Sequence, residues 1–151
     1  MTISVNDLVG AWRLVSVTEI FDDGERKPEF GPNADGYLSY SPNGIVSAVL
    51  GSMDRQPIGT GDPQSGTAEQ IASLARTFLA YAGPFTIDPD TDTVTHHIDI
   101  ALFADWQGGN QIRHFRAEND QLIAQGSPRT GDDGRTFHSE LVWARVVAPS
   151  S

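Results

Sequence analysis

The 151-residue sequence contains no cysteine. Disulfides and thiolate metal sites are therefore excluded outright. It is poor in basic residues, with ten Lys and Arg against twenty Asp and Glu, a formal net charge of -10. Nucleic acid and anionic membrane surfaces would repel such a chain at long range, so neither is expected as a partner. No run of eighteen apolar residues occurs, and no membrane-spanning helix is expected. The stretch "MTISVNDLVGAW" has neither a basic n-region nor an apolar h-region, and a cytoplasmic protein is the expectation. Repeats and low-complexity runs are absent, apart from "APSS" at 148–151, read as a flexible tail.

What is present is an ordinary globular composition, 38% hydrophobic and 20% charged, in a length that suits one domain over 1–147. Short β-rich segments alternate with turn signals. Val9–Phe21 reads as a long strand closed by "DDGE". Gly36–Ser41 and Ile45–Leu50 flank "PNG", where Gly44 suits a positive φ. Phe85–Asp88 and Thr93–Phe103 flank "PDTD", Asn110–Glu118 and Gln121–Gln125 flank "ND", and Arg135–Val146 follows "SPRTGDDG". Antiparallel strands joined by tight turns point to a sandwich or an up-and-down barrel. One segment differs. "TAEQIASLARTFLAYAG" sets Ile71, Leu74, Ala75, Phe78 and Ala82 at helical spacing, with a Thr67/Gln70 capping box and Gly83-Pro84 as a stop. A helix over about 67–82 is expected to pack on a sheet or cover one end of a barrel.

Two motifs bracket the chain. "LVGAWRLVS" places a G-x-W at Gly10 and Trp12, and "LVWARV" places Arg145 late. "DGYLSYSPNGIVSAVL", "FLAYAGPFTIDPDTDTVTHHIDIALFADW" and "NQIRHFRAENDQLI" lie between them in order. Together these segments resemble the small bacterial and fungal lipocalin-like domain family, over nearly the whole chain. The motif positions are Tyr40 with Gly44, Tyr81 with Gly83, Thr95-His96, Trp106 and Arg113. The chain departs from the family pattern at Phe85, where a Tyr is usual, and at Ala104-Asp105, where a Pro usually precedes the loop Trp. The resemblance implies a mainly β, lipocalin-like up-and-down barrel of about eight to ten strands with one helix. It implies Arg145 packed across Trp12, and an interior that holds a small molecule.

The strand "TVTHHIDIALF" carries the sharpest question. Val94, His96, Ile98, Ile100 and Leu102 share the apolar face, so His96 should point inward and His97 outward. An inward histidine must be paired, either structurally by the protein or in ligand contact and acid–base work. His97 and Asp99 read as a solvated outer pair. Gln111, Arg113 and Phe115 share a face; an inward Arg113 demands an acidic partner, a carbonyl cluster or an anionic ligand group. His138 and Glu140 face outward, opposite Phe137, Leu141 and Trp143. Tyr40 and Tyr81 each bring apolar surface and one hydroxyl, for packing or for proton donation to a carbonyl. Trp106, among glycines, suits a flexible gate at the barrel mouth.

No three histidines share an element at metal-ligand spacing, no phosphate loop is present, and no serine sits in a nucleophile elbow, so no metal or cofactor is expected. Three functions stay open. The first is binding of a small, largely apolar molecule, lined by Trp106, Phe78, Phe103 and Ile98. The second is a cofactor-independent isomerase, cyclase or hydratase/dehydratase of small-molecule or secondary metabolism. There His96 and Tyr40 or Tyr81 would trade protons while Arg113 stabilises negative charge. The third is an interaction protein. A homodimer is compatible with each.

Overall fold

The computed structural model describes residues 3–147; the tail expected at 148–151 lies outside the described residues. Eleven strands follow in chain order: β1 (Gly10–Phe21), β2 (Arg26–Pro28), β3 (Ala34–Tyr40), β4 (Ile45–Ser52), β5 (Phe78–Asp88), β6 (Thr93–His97), β7 (Ile100–Ala101), β8 (Asn110–Glu118), β9 (Gln121–Gly126), β10 (Arg129–Thr130) and β11 (Thr136–Arg145). Eight of them, β1, β3, β4, β5, β6, β8, β9 and β11, pair antiparallel with their neighbours, and β11 returns to β1 to close a barrel. β2, β7 and β10 are short additions at the rim. Closure removes the unpaired edges that an open sheet would expose.

The local chemistry follows the expected turns. Asn119 and Asp120 both adopt positive φ, 50° and 62°, joining β8 to β9 as a tight hairpin. Alternation places Leu38 and Tyr40 of β3, Ala48 and Leu50 of β4, and Leu122 and Ala124 of β9 in one core with Trp143.

One end of the barrel is sealed. A short helix, α1 (Val5–Leu8), is capped by Ser4 and Asp7, and drops Leu8 into the core. Trp12 is buried and donates its indole N–H to the Leu8 carbonyl at 2.9 Å. The Arg145 guanidinium lies 4.2 Å from the Trp12 ring centroid and donates to the carbonyls of Asp7 and Val9. Gly10 makes room: its φ is 124°, and a Cβ there would stand 3.2 Å from Arg145 Nη1.

Two expectations need correction. The helix α2 (Ala68–Arg76) has the Thr67/Gln70 capping box but ends at Arg76, not near residue 82. From Phe78 onward the chain is β5, in register with β4 as Gly51↔Phe78 through Ser47↔Ala82. A full ladder of backbone hydrogen bonds and burial of Tyr81 outweigh the weak helical preference of "FLAYA". Likewise Thr93–Phe103 is not one strand. β6 stops at His97, and only Ile100–Ala101 resumes pairing, on β5. Val94, His96 and Ile98 are buried as expected, but Ile100 is exposed.

Candidate functional site

The unsealed end of the barrel opens into a cavity of about 650 Å³, within the usual range for small-molecule sites. Its floor and walls are largely apolar, with Leu38, Leu50, Phe115, Leu141 and Trp143 among them. Phe78, Phe103 and Trp106, the residues expected to line a ligand site, line it too. Trp106 sits on a short 3-10 helix, Ala104–Trp106, half-buried rather than exposed. Its ring meets those of Phe103 at 5.8 Å and Tyr81 at 6.0 Å, both edge-on. Ile98 does not line the cavity; it is sealed in the core. Ala75 and Arg76 bring the last turn of α2 to the rim, while Ile71 of that helix stays exposed.

One wall is polar. His96 on β6 is buried, with Nε2 2.6 Å from Tyr40 Oη and Nδ1 2.6 Å from Tyr81 Oη. Both tyrosines are buried as well. Burial, helped by the nearby charges of Arg113 and His97, lowers the His96 pKa to about 3, so the ring is neutral at pH 7. Burial raises both phenols above their usual range, and Arg113 opposes the rise. His96 and Tyr81 border the cavity, whereas Tyr40 lies behind them, against the rings of Phe85 and Phe115. Phe85, the departure from the family pattern, packs edge-on against Tyr40 at 4.8 Å.

Arg113 on β8 also lines the cavity. Its Nη1 donates to Gln111 Oε1 at 3.3 Å and to the Ile112 carbonyl at 3.2 Å. Among the described residues no carboxylate pairs with it; of the partners expected for an inward arginine, the structure supplies an amide and a carbonyl. His97 is outside, as expected, but bonds Thr86 Oγ1 and Asn110 Oδ1 rather than Asp99. His138 and Glu140 do not line the cavity, and Glu140 pairs with Arg26 on the outside.

Gly83 is what lets β5 and the chain after His97 cross so closely. A Cβ there would stand 1.8 Å from the His97 carbonyl oxygen and 2.9 Å from the Asp99 nitrogen. Asp99 N donates instead to the Ala82 carbonyl at 3.0 Å. The Tyr-x-Gly motif thus ties the tyrosine that reaches His96 to a backbone crossing only glycine permits.

The opposite wall holds residues that sequence reasoning missed. Glu19 lines the cavity with Glu29, and Glu29 accepts from Ser139 Oγ at 2.7 Å and pairs with Arg129. Burial, then the proximity of Glu29, raises the Glu19 pKa. Glu19 faces inward because β1 bulges between Leu14 and Ser16. The signal was present: the apolar positions Trp12, Leu14, Val17 and Phe21 slip by one after Leu14, which puts Glu19 in phase with Val17.

A closed up-and-down barrel with a Trp–Arg seal at one end and a lined cavity at the other is a lipocalin-type barrel. The lipocalin-like domain model matches residues 9–146, and the chain belongs to that family. A relative from Aspergillus oryzae, the 4'-hydroxy-3'-methoxypropiophenone carrier protein ppsC, is 33% identical over 108 residues, covering 62% of this chain and 96% of the relative.

Proposed function

We propose that the protein binds a small, largely apolar molecule in the open end of its barrel, with Tyr81, His96 and Arg113 as the polar anchors. The observation that carries this reading is the cavity of about 650 Å³, largely apolar in its lining, with those three residues together on one wall and Glu19 and Glu29 on the opposite one. Carriers need enclosed apolar surface for affinity and a few fixed polar groups for orientation. The carrier name of the Aspergillus relative supports the same reading. A cytoplasmic setting is part of the proposal, and host-cell fractionation checks it; among the described residues no helix is long and apolar enough to cross a membrane.

The test uses 4'-hydroxy-3'-methoxypropiophenone as probe, followed by quenching of tryptophan fluorescence, since Trp106 lines the cavity. Saturable quenching that weakens in Phe78→Ala and Trp106→Phe variants, with native mass spectrometry showing one probe per chain, supports the reading. No saturable binding of this probe or of a simple aryl ketone overturns it.

A second reading is favoured by one specific feature, a neutral histidine held between two phenols beside an arginine. That set would move a proton and stabilise an oxyanion in a cofactor-independent isomerase, cyclase or hydratase/dehydratase. Turnover of a bound compound, abolished by His96→Gln with binding retained, separates it from a carrier.

A further inference from the structure

The two contacts at His96 have a direction that follows from counting protons. A neutral imidazole carries one N–H and one lone pair, so it donates to one tyrosine and accepts from the other. In one arrangement Nε2–H donates to Tyr40, Tyr81 donates to Nδ1, and the Tyr40 hydroxyl proton is left over. Tyr40 lies behind the cavity wall, against Phe85 and Phe115, and its oxygen has no partner among the described residues except His96. A proton left there has no acceptor, and leaving a buried donor unpaired is unfavourable. In the other arrangement Tyr40 donates to Nε2, and Nδ1–H donates to Tyr81. The spare proton is then that of Tyr81, which borders the cavity.

We infer that Tyr40, His96 and Tyr81 form a one-way hydrogen-bond chain, which presents the Tyr81 hydroxyl to the cavity as a donor beside Arg113, and that the ligand brings a carbonyl oxygen to this point. The inference rests on the cavity-binding reading above and adds the chemistry of the ligand's buried pole. The geometry is selective. Arg113 only donates, and Tyr81 Oη accepts the His96 N–H and turns its own proton to the cavity, so these two side chains present donors at one point of the wall. A ketone or aldehyde oxygen placed here accepts from both, which an apolar group of the same shape cannot do. A chain of hydrogen bonds also polarises its last member, making Tyr81 a better donor than an isolated phenol. Tyr40 is therefore a positioning residue: it touches no ligand and sets the tautomer of His96.

Two measurements test this. The first is long-range ¹H–¹⁵N correlation of the histidine rings in the whole protein at pH 7. The expected result is His96 protonated at Nδ1 with Nε2 bare; protonation at Nε2 overturns the inference. The second compares propiophenone with propylbenzene, which have nearly the same apolar shape and differ in the carbonyl. The wild-type protein should favour the ketone by about tenfold, one buried hydrogen bond's worth. Tyr81→Phe should erase that preference while propylbenzene still binds, which shows the cavity intact. Equal binding of both probes by the wild type, or a ketone preference that survives Tyr81→Phe, overturns the inference and leaves the cavity reading standing. Failure of both probes to bind overturns the two together.

Discussion

The Arg145 guanidinium stands 4.2 Å over the Trp12 ring and donates to two carbonyls of the segment that plugs the barrel, those of Asp7 and Val9. One side chain thus fastens the last strand, the first strand and the plug. Arg145→Ala should lower stability by about 1–3 kcal/mol, from lost cation–π attraction and two hydrogen bonds. Because the cavity lies toward the other end, probe affinity should change less than twofold. Urea unfolding and fluorescence titration on the same preparation decide it; a large loss of affinity at unchanged stability would contradict the division of labour between the two ends.

The neutral state of His96 makes the fold acid-sensitive. Its pKa falls from 6.5 when unfolded to about 3 when folded, chiefly through burial between Tyr40 and Tyr81, with Arg113 and His97 adding like charge. A depressed folded pKa means the stabilisation is complete above pH 6.5 and is lost as pH falls toward 3, by up to about 1.4 kcal/mol per pH unit from this group. The His96 ring resonances should stay constant from pH 8 to 4.5. A titration midpoint near 6.5 would show that the ring is not held as described.

Glu19 has the opposite sign. Its folded pKa is raised, first by burial and then by Glu29, so its ionised form is the one the fold disfavours. The cost is present at neutral pH and vanishes as pH falls below the unfolded value of 4.5. Glu19→Gln should therefore raise the melting temperature at pH 7 and leave it unchanged at pH 4. A variant less stable at pH 7 would mean that the carboxylate is compensated by a partner.

Gly83→Ala should be among the most damaging single-methyl additions in the protein. The new Cβ meets the His97 carbonyl oxygen at 1.8 Å, and backbone has to move. A loss of about 3 kcal/mol or more is expected. Gly109→Ala, whose Cβ would meet the Trp106 carbonyl oxygen at 3.4 Å, is the control and should cost far less. Similar melting temperatures for the two would refute the close crossing.

Much of this fold was legible because its pairings are local hairpins, each announced by its own turn. Alternation alone was enough to send His96 inward and His97 outward, and to put Gln111, Arg113 and Phe115 on one face. Where reading failed, the cause was non-local. "FLAYA" has helical periodicity, and only its alignment with β4, far back in the chain, makes it strand. Glu19 was hidden by a bulge that shifts every later side chain of β1 to the other face. The different placement of Tyr40 and Tyr81 relative to the cavity could not be read from strand patterns either. Both face in; what separates them is depth relative to a cavity that exists only once all eight strands have met.

That last point bears on synthesis. The barrel closes where β1 meets β11, so the first strand made waits for the last before its edge is covered. Until then the growing chain is a curved ribbon with two open edges and an unsealed apolar interior, the kind of species that pairs with its neighbours. Loop closure across so long a span costs chain entropy before the β1–β11 contacts form, and slow folding is the expected outcome. A ribosome stalled shortly before Thr136 would release a chain that has nearly all its hairpins and still cannot hold a ligand.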